Sequence, residues 1–208
     1  MAQTTESVTI KAPNLQNATI RIIGKAPYMQ HRFYKKAEIM EKQRAGSTAR
    51  GKKTREARDF EKDFQESQHR SVEGWSGIPA PAFRAALISA CRLVGFQMTK
   101  ARLSLFIEAD GFCVKDGTPL VKLIAGEPEM VTMPVRNETG VVDVRSRPLW
   151  RTWAADVRIT WDADQFTVAD VSNLLMRAGL QVGIGEGRPD SKKSAGLGYG
   201  LFTVKEAA

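Results

Sequence analysis

Apolar residues recur with two different periods along this chain, and the switches between them mark its elements. Over 18–23 (Ala18-Thr19-Ile20-Arg21-Ile22-Ile23) apolar and polar positions alternate until the last, and 155–161 (Ala155-Asp156-Val157-Arg158-Ile159-Thr160-Trp161) alternates throughout, the period of a half-buried strand. Between 81 and 94 the period lengthens: Phe83, Leu87, Ala90, Cys91 and Val94 fall on one helical face, with Pro81 near the first turn and Gly95 just past the end. A second helix opens at Thr167 with Asp170 at capping-box spacing, carries Val168, Val171, Leu174, Leu175 and Ala178 on one face, and stops at Gly179. Short extended runs at 103–107, 120–124, 130–135 and 141–145 lie between the helices, and the turn pairs Asp110-Gly111 and Asp116-Gly117 predict at least one hairpin. A last apolar run covers 201–204. The order strand, helix, strands, helix, strand predicts an α+β fold with a ferredoxin-like β-α-β-β-α-β sheet and two helices on one face.

Two stretches depart from these periods. Residues 35–72 are dense in charge and poor in apolar positions, so they cannot form a core of their own. They read as an insertion, helical over 36–44 and 55–68 and flexible around Gly46 to Lys53, whose carboxylates Glu38, Glu41, Glu56, Asp59, Glu61, Asp63 and Glu66 can pair internally. Residues 183–200 form a glycine-rich loop between the second helix and the last strand, carrying Arg188, Lys192 and Lys193. Glycines allow positive φ and close approach, and exposed N–H groups with cations make a concave anion site; the plainer alternative is a mobile surface loop.

Composition sharpens the choice of partner. The chain has 208 residues, a net charge of +8 and a pI near 9.7, which suits one domain over 1–208 with a polyanionic ligand, most simply nucleic acid. No apolar run is long enough to span a bilayer and the first residues lack a signal-peptide pattern, so a cytoplasmic protein without membrane partners is expected. Cys91 and Cys113 read as reduced packing residues. With His31 and His69 as the two histidines and no close Cys/His spacing, neither a metal nor another cofactor is expected. The glycine segment matches neither a dinucleotide fingerprint, because a strand rather than a helix follows it, nor a P-loop, because no glycine directly precedes its lysines.

Candidate phosphate contacts come from separate places: Arg32, Lys35 and Lys36 after the first strand, Lys52 and Lys53 in the insertion, Arg145, Arg147 and Arg151 before the long strand, and Gly183, Gly185, Gly187, Arg188, Lys192 and Lys193 in the glycine loop. Trp150 and Trp153 interleave with those arginines as base-stacking candidates, against the alternative of core packing. His31, beside Arg32 and Tyr34, is a candidate acid or base for RNA cleavage, although no paired acid or base accompanies it.

Residues 78–87 (Ile78-Pro79-Ala80-Pro81-Ala82-Phe83-Arg84-Ala85-Ala86-Leu87) resemble the approach to the first helix in the RAMP superfamily, the CRISPR-associated RNA-binding proteins built on ferredoxin-like folds, and 183–204 resembles their glycine-rich loop and final strand. With the charged insertion after the first strand, the likeness is to backbone subunits that coat guide RNA in a row. The segments Pro27-Tyr28-Met29-Gln30-His31-Arg32 and 182–189 are also similar to proteins often encoded by temperate phages. The resemblance implies that Arg84, Arg92, Arg188, Lys192 and Lys193 face the nucleic-acid backbone, and that the insertion reaches a neighbouring subunit. The resulting expectation is a non-enzymatic protein that binds single-stranded RNA, or DNA, and forms a homo-oligomeric filament along it, with other subunits of a ribonucleoprotein complex as further partners. Alternatives are a phage factor that anneals single-stranded DNA, an endoribonuclease that processes guide RNA through His31, and a phage structural or assembly protein.

Overall fold

The computed structural model describes residues 10–33, 59–136, 142–191 and 196–205. Its elements are β1 (Leu15–Gly24), β2 (Tyr28–Met29), α1 (Phe60–Glu66), β3 (Gly77–Pro79), α2 (Ala80–Ala90), α3 (Met98–Ser104), β4 (Leu105–Glu108), β5 (Gly111–Phe112), β6 (Pro119–Ala125), β7 (Glu129–Arg136), β8 (Val142–Trp150), β9 (Ala154–Asp162), α4 (Val168–Arg177) and β10 (Phe202–Val204). The fold is mixed α+β, with a mostly antiparallel main sheet.

β1 and β9 pair from Leu15↔Asp162 to Ile23↔Ala154, and in β9 every second residue is buried, as its alternation requires. Ala155, Val157, Ile159 and Trp161 face the core, while on the opposite face the Arg21 guanidinium pairs with Asp156 at 2.6 Å. The main sheet runs β10-β1-β9-β6-β3, with β4 also on β9 and β5 on β6. β4 meets one end of β9, at Leu105↔Trp161, and β6 meets the other, at Leu123↔Ala155. α2 lies in the connection from β1 towards β4, and α4 in that from β9 to β10. Phe83, Leu87 and Cys91 from the first helix and Val171, Leu174 and Leu175 from the second join Ile22, Val157, Ile159 and Trp161 in one buried cluster. Each large side chain fully removed from water there contributes about 1.5–3 kcal/mol. A smaller sheet, β2-β8-β7, stands beside the first.

Several local expectations change. The helix expected over 81–94 ends at Ala90, and a 3-10 turn over Cys91–Val94 rotates Val94 into solvent before Gly95 closes it at φ +70°. The run 103–107 is divided between α3 and β4, because its apolar block has no period of its own to choose between helix and strand. Thr167 and Asp170 do form a capping box, but Gly179 does not stop the second helix. A π-turn continues through Ala178–Val182, and Gly179 packs where a Cβ would stand 2.3 Å from the Phe202 carbonyl oxygen. Cys113 makes an isolated bridge with Ser71 rather than lying in a strand, and both cysteines are buried and free. Of the insertion, α1 and the segment after it are described; residues 35–58, with Lys35, Lys36, Lys52 and Lys53, lie outside the described residues, as do Lys192 and Lys193. Among the described residues no helix is long and apolar enough to cross a membrane.

Candidate functional site

A cleft of 1080 Å³ opens between α2, the first residues of the glycine segment and the chain leaving β2. Ala82, Ala85, Ala86 and Ser89 of α2 form one wall, and Val182, Gly183, Ile184, Gly185 and Glu186 the other. His31, Phe33 and His69 join the lining, and Arg92, Arg102, Arg145 and Arg188 converge on it. Small residues on the helix wall leave width there, which larger ones at the same positions would fill.

The glycine segment is held by its own main chain. Ile184 N–H donates to Gly200 O (3.1 Å), Gly200 N–H to Pro27 O (2.7 Å), Glu186 N–H to Met29 O (2.9 Å), and Leu197 and Tyr199 N–H to Gly187 O (2.7 and 3.1 Å). The segment therefore departs from the expected nest of exposed amides: these donors are satisfied by backbone carbonyls, and side-chain cations rather than these N–H groups face the cleft. Gly183 and Gly185 line the cleft, and Gly185 sits so close to β2 that a Cβ would meet Met29 O at 2.5 Å. Gly187 belongs to the internal network instead.

The expected cations divide into two groups. Arg92 lies at the cleft, where its Nη2 pairs with Asp190 at 2.8 Å, and the Arg188 Nη1 donates to Gly185 O at 3.0 Å. Arg145 lines the same space. The other four are engaged by partners outside the cleft lining or across neighbouring elements. Arg32 is buried and its Nη2 pairs with Glu66 Oε2 at 2.7 Å, tying α1 to the chain after β2. Arg84 donates from Nε to Leu105 O (2.8 Å) and from Nη2 to Arg102 O, joining α2 to the start of β4. Arg147 is buried against Glu186, and Arg151, outside the cleft, pairs with Glu129 at 2.8 Å. Charge within a strand or helix end is legible in sequence, but not whether a carboxylate distant in the chain has been placed against it.

Trp150 and Trp153 point inward. Both are core residues, flanking Tyr28 at ring-centroid distances of 5.6 and 5.5 Å, and Trp153 Nε1 donates to Ala26 O at 2.8 Å. Neither ring face is open to a base. The aromatic that does stand at the cleft is Phe33, 72 % exposed, with His31 against it at 4.3 Å. An isolated Phe amid His31, Arg32 and Tyr34 was the available signal. Arg102 was missed because residues 98–102 carry no periodic signal and the run after them, 103–107, reads as extended.

His31 Nδ1 lies 3.6 Å from Glu186 Oε2. Burial pushes its pKa down to about 3, helped by the guanidinium groups of Arg147 and Arg145 and opposed by Asp63. Burial lowers that of His69 as well. The unfolded chain thus takes up these protons first as pH falls. The stability that neutral His31 contributes is complete above its unfolded value of about 6.5 and is lost as pH falls towards 3. His31→Gln is expected to flatten the loss of stability between about pH 6.5 and 4. Denaturant titrations across that range check this, and parallel profiles for the variant and the parent would refute it.

Comparison with known protein families and with curated proteins finds no match to this chain.

Proposed function

We propose that this chain binds single-stranded nucleic acid, RNA in preference to DNA, in the cleft between α2 and the glycine segment, without cleaving it, and that copies assemble side by side along the strand. The observation that carries the reading is the convergence of Arg92, Arg102, Arg145 and Arg188 on one cleft that also presents Phe33. Arginines meet phosphates, and an exposed ring offers a stacking face worth about 1–3 kcal/mol per base. Glu186 is matched by Arg147, outside this set, whereas Asp190 offsets the charge of Arg92. The β10-β1-β9-β4 order, with helices in both crossovers, supports a ferredoxin-like sheet of the RAMP kind. Assembly along the ligand rests on the resemblance of residues 78–87 and 183–204 to backbone subunits. The cleaving alternative has weak support: a general base works best with a pKa near the operating pH, and His31 lies far below it.

Fluorescence anisotropy with RNA and DNA strands of one sequence tests the proposal. Arg102→Ala with Arg188→Ala is expected to weaken binding at least about tenfold and to reduce the dependence on log salt by about 0.7 per lost phosphate contact. Phe33→Ala should weaken it further, while Arg151→Ala should not. Unchanged affinity and salt slope in the double variant would exclude the cleft as the interface.

A further inference from the structure

Sequence spacing offers no metal motif, yet the fold brings one nitrogen, one sulfur and one oxygen donor together beside the base of the insertion. A ring nitrogen of His69, Cys113 Sγ and a carboxylate oxygen of Asp116 all lie within 4.8 Å of one another, and His69 Nδ1 is 3.9 Å from Asp116 Oδ2. His69 is 8 % exposed, and its Nδ1 is buried without a hydrogen-bond partner among the described residues. A buried polar atom left in this state is costly unless something fills the site it faces.

The three donors are held from behind. His69 N–H donates to Gln30 Oε1 (2.8 Å), and His69 O accepts from Gly77 N–H (3.1 Å). Val114 N–H donates to Arg70 O (3.0 Å), and Ser71 bridges to Cys113, so the turn carrying the sulfur is fastened to the segment carrying the imidazole. Thr118 N–H occupies Asp116 Oδ1 at 3.0 Å, which leaves Oδ2 towards His69. Arg32 Nη1 stands 3.7 Å from Oδ2 and pairs through Nη2 with Glu66, so it steadies the carboxylate from outside.

We infer that His69, Cys113 and Asp116 bind one zinc-type transition-metal cation, through three protein ligands with a fourth position left for water or a ligand. Zinc bonds of about 2.0–2.3 Å place tetrahedral donor atoms roughly 3.5 Å apart, so closure by about an ångström completes the site. The mixed nitrogen, sulfur and oxygen set suits zinc or cobalt, whereas magnesium and calcium take oxygen donors. On binding, the Cys113 S–H bond breaks, the sulfur lone pair forms the metal bond, and the proton leaves to solvent. The cation joins the segment after α1 to the β5–β6 hairpin and thereby fixes the root of the insertion.

The full-length chain, treated with chelator and titrated with cobalt(II), is expected to develop a near-ultraviolet thiolate-to-cobalt charge-transfer band that saturates at one equivalent, is displaced by zinc, and is accompanied by a higher Tm. Cys113→Ser should abolish the band, and Asp116→Asn, at a partly exposed position that spares the core, should weaken cobalt binding at least about tenfold. Absence of the band in the folded parent chain, a band that survives Cys113→Ser and so comes from Cys91, or an unchanged affinity in Asp116→Asn would each overturn the site.

Discussion

Replacing Arg147 with alanine is expected to cost about 3 kcal/mol of stability, the loss typical of a buried ion pair broken from one side. The Arg147 side chain is 4 % exposed, and from β8 it reaches two other elements at once. Its Nε donates to Glu186 Oε2 at 2.9 Å in the glycine segment, and its Nη1 to Ser67 Oγ at 3.2 Å, the C-cap of α1, and to Ser146 O at 3.1 Å. Truncation removes the 2.9 Å partner of the Glu186 carboxylate, which His31 Nδ1 approaches at 3.6 Å. The same change removes one of the charges that suppress protonation of His31, so the imidazole should titrate nearer its ordinary value. Denaturant midpoints at constant slope measure the first effect and NMR titration the second. A double-mutant cycle with Glu186→Gln should recover a coupling of about 1–3 kcal/mol. A loss below about half a kcal/mol, the level of an ordinary surface substitution, would show that the pair carries no structural weight.

Gly200→Ala should be more damaging, because two independent penalties coincide. The residue sits at φ +69°, where an L side chain is strained by about 1 kcal/mol, and an added Cβ would stand 1.8 Å from Ile184 O. The obstruction is backbone, so relief requires displacing the Ile184–Gly200 hydrogen bond that closes the segment. A loss of at least about 3 kcal/mol, or failure to fold, is expected. Gly198 is the control: its φ is +73°, but nothing lies within 4 Å of the added Cβ, so Gly198→Ala should cost only the conformational part, about 1 kcal/mol. Thermal unfolding of the two variants side by side decides the matter, and equal losses would mean that steric closure is not what fixes the segment.

The elements that could be read from sequence are those whose signal is local and repeated. β1 and β9 announce themselves because one face is buried and the other wet, and α4 because Thr167 and Asp170 satisfy orphan amides at a fixed spacing. β8 hides its nature: Ser146, Arg147, Pro148, Leu149 and Trp150 are all buried, since other elements cover both of its faces, so no alternation survives. The arginines and tryptophans around it then looked like a ligand surface, when two of them were packing residues and one a buried strut. At the cleft, the glycine segment and Arg92, Arg145 and Arg188 were identifiable, while Phe33 and Arg102 depended on how the chain turns after β2 and on α3 being helical. Of the His69, Cys113 and Asp116 group only the three-residue step from Cys113 to Asp116 is local, and His69 is brought to it by a bridge between segments far apart in the chain.

The place of β1 between β9 and β10 bears on how the protein comes into being. Its two sheet neighbours, β9 and β10, belong to the last third of the chain, and the bond from Gly200 to Pro27 spans most of its length. During synthesis, β1 emerges early and waits without either neighbour until residues 154–204 have left the ribosome. The cleft wall supplied by the glycine segment is absent for the same interval. A nascent chain therefore lacks a complete cleft until its last segment has emerged.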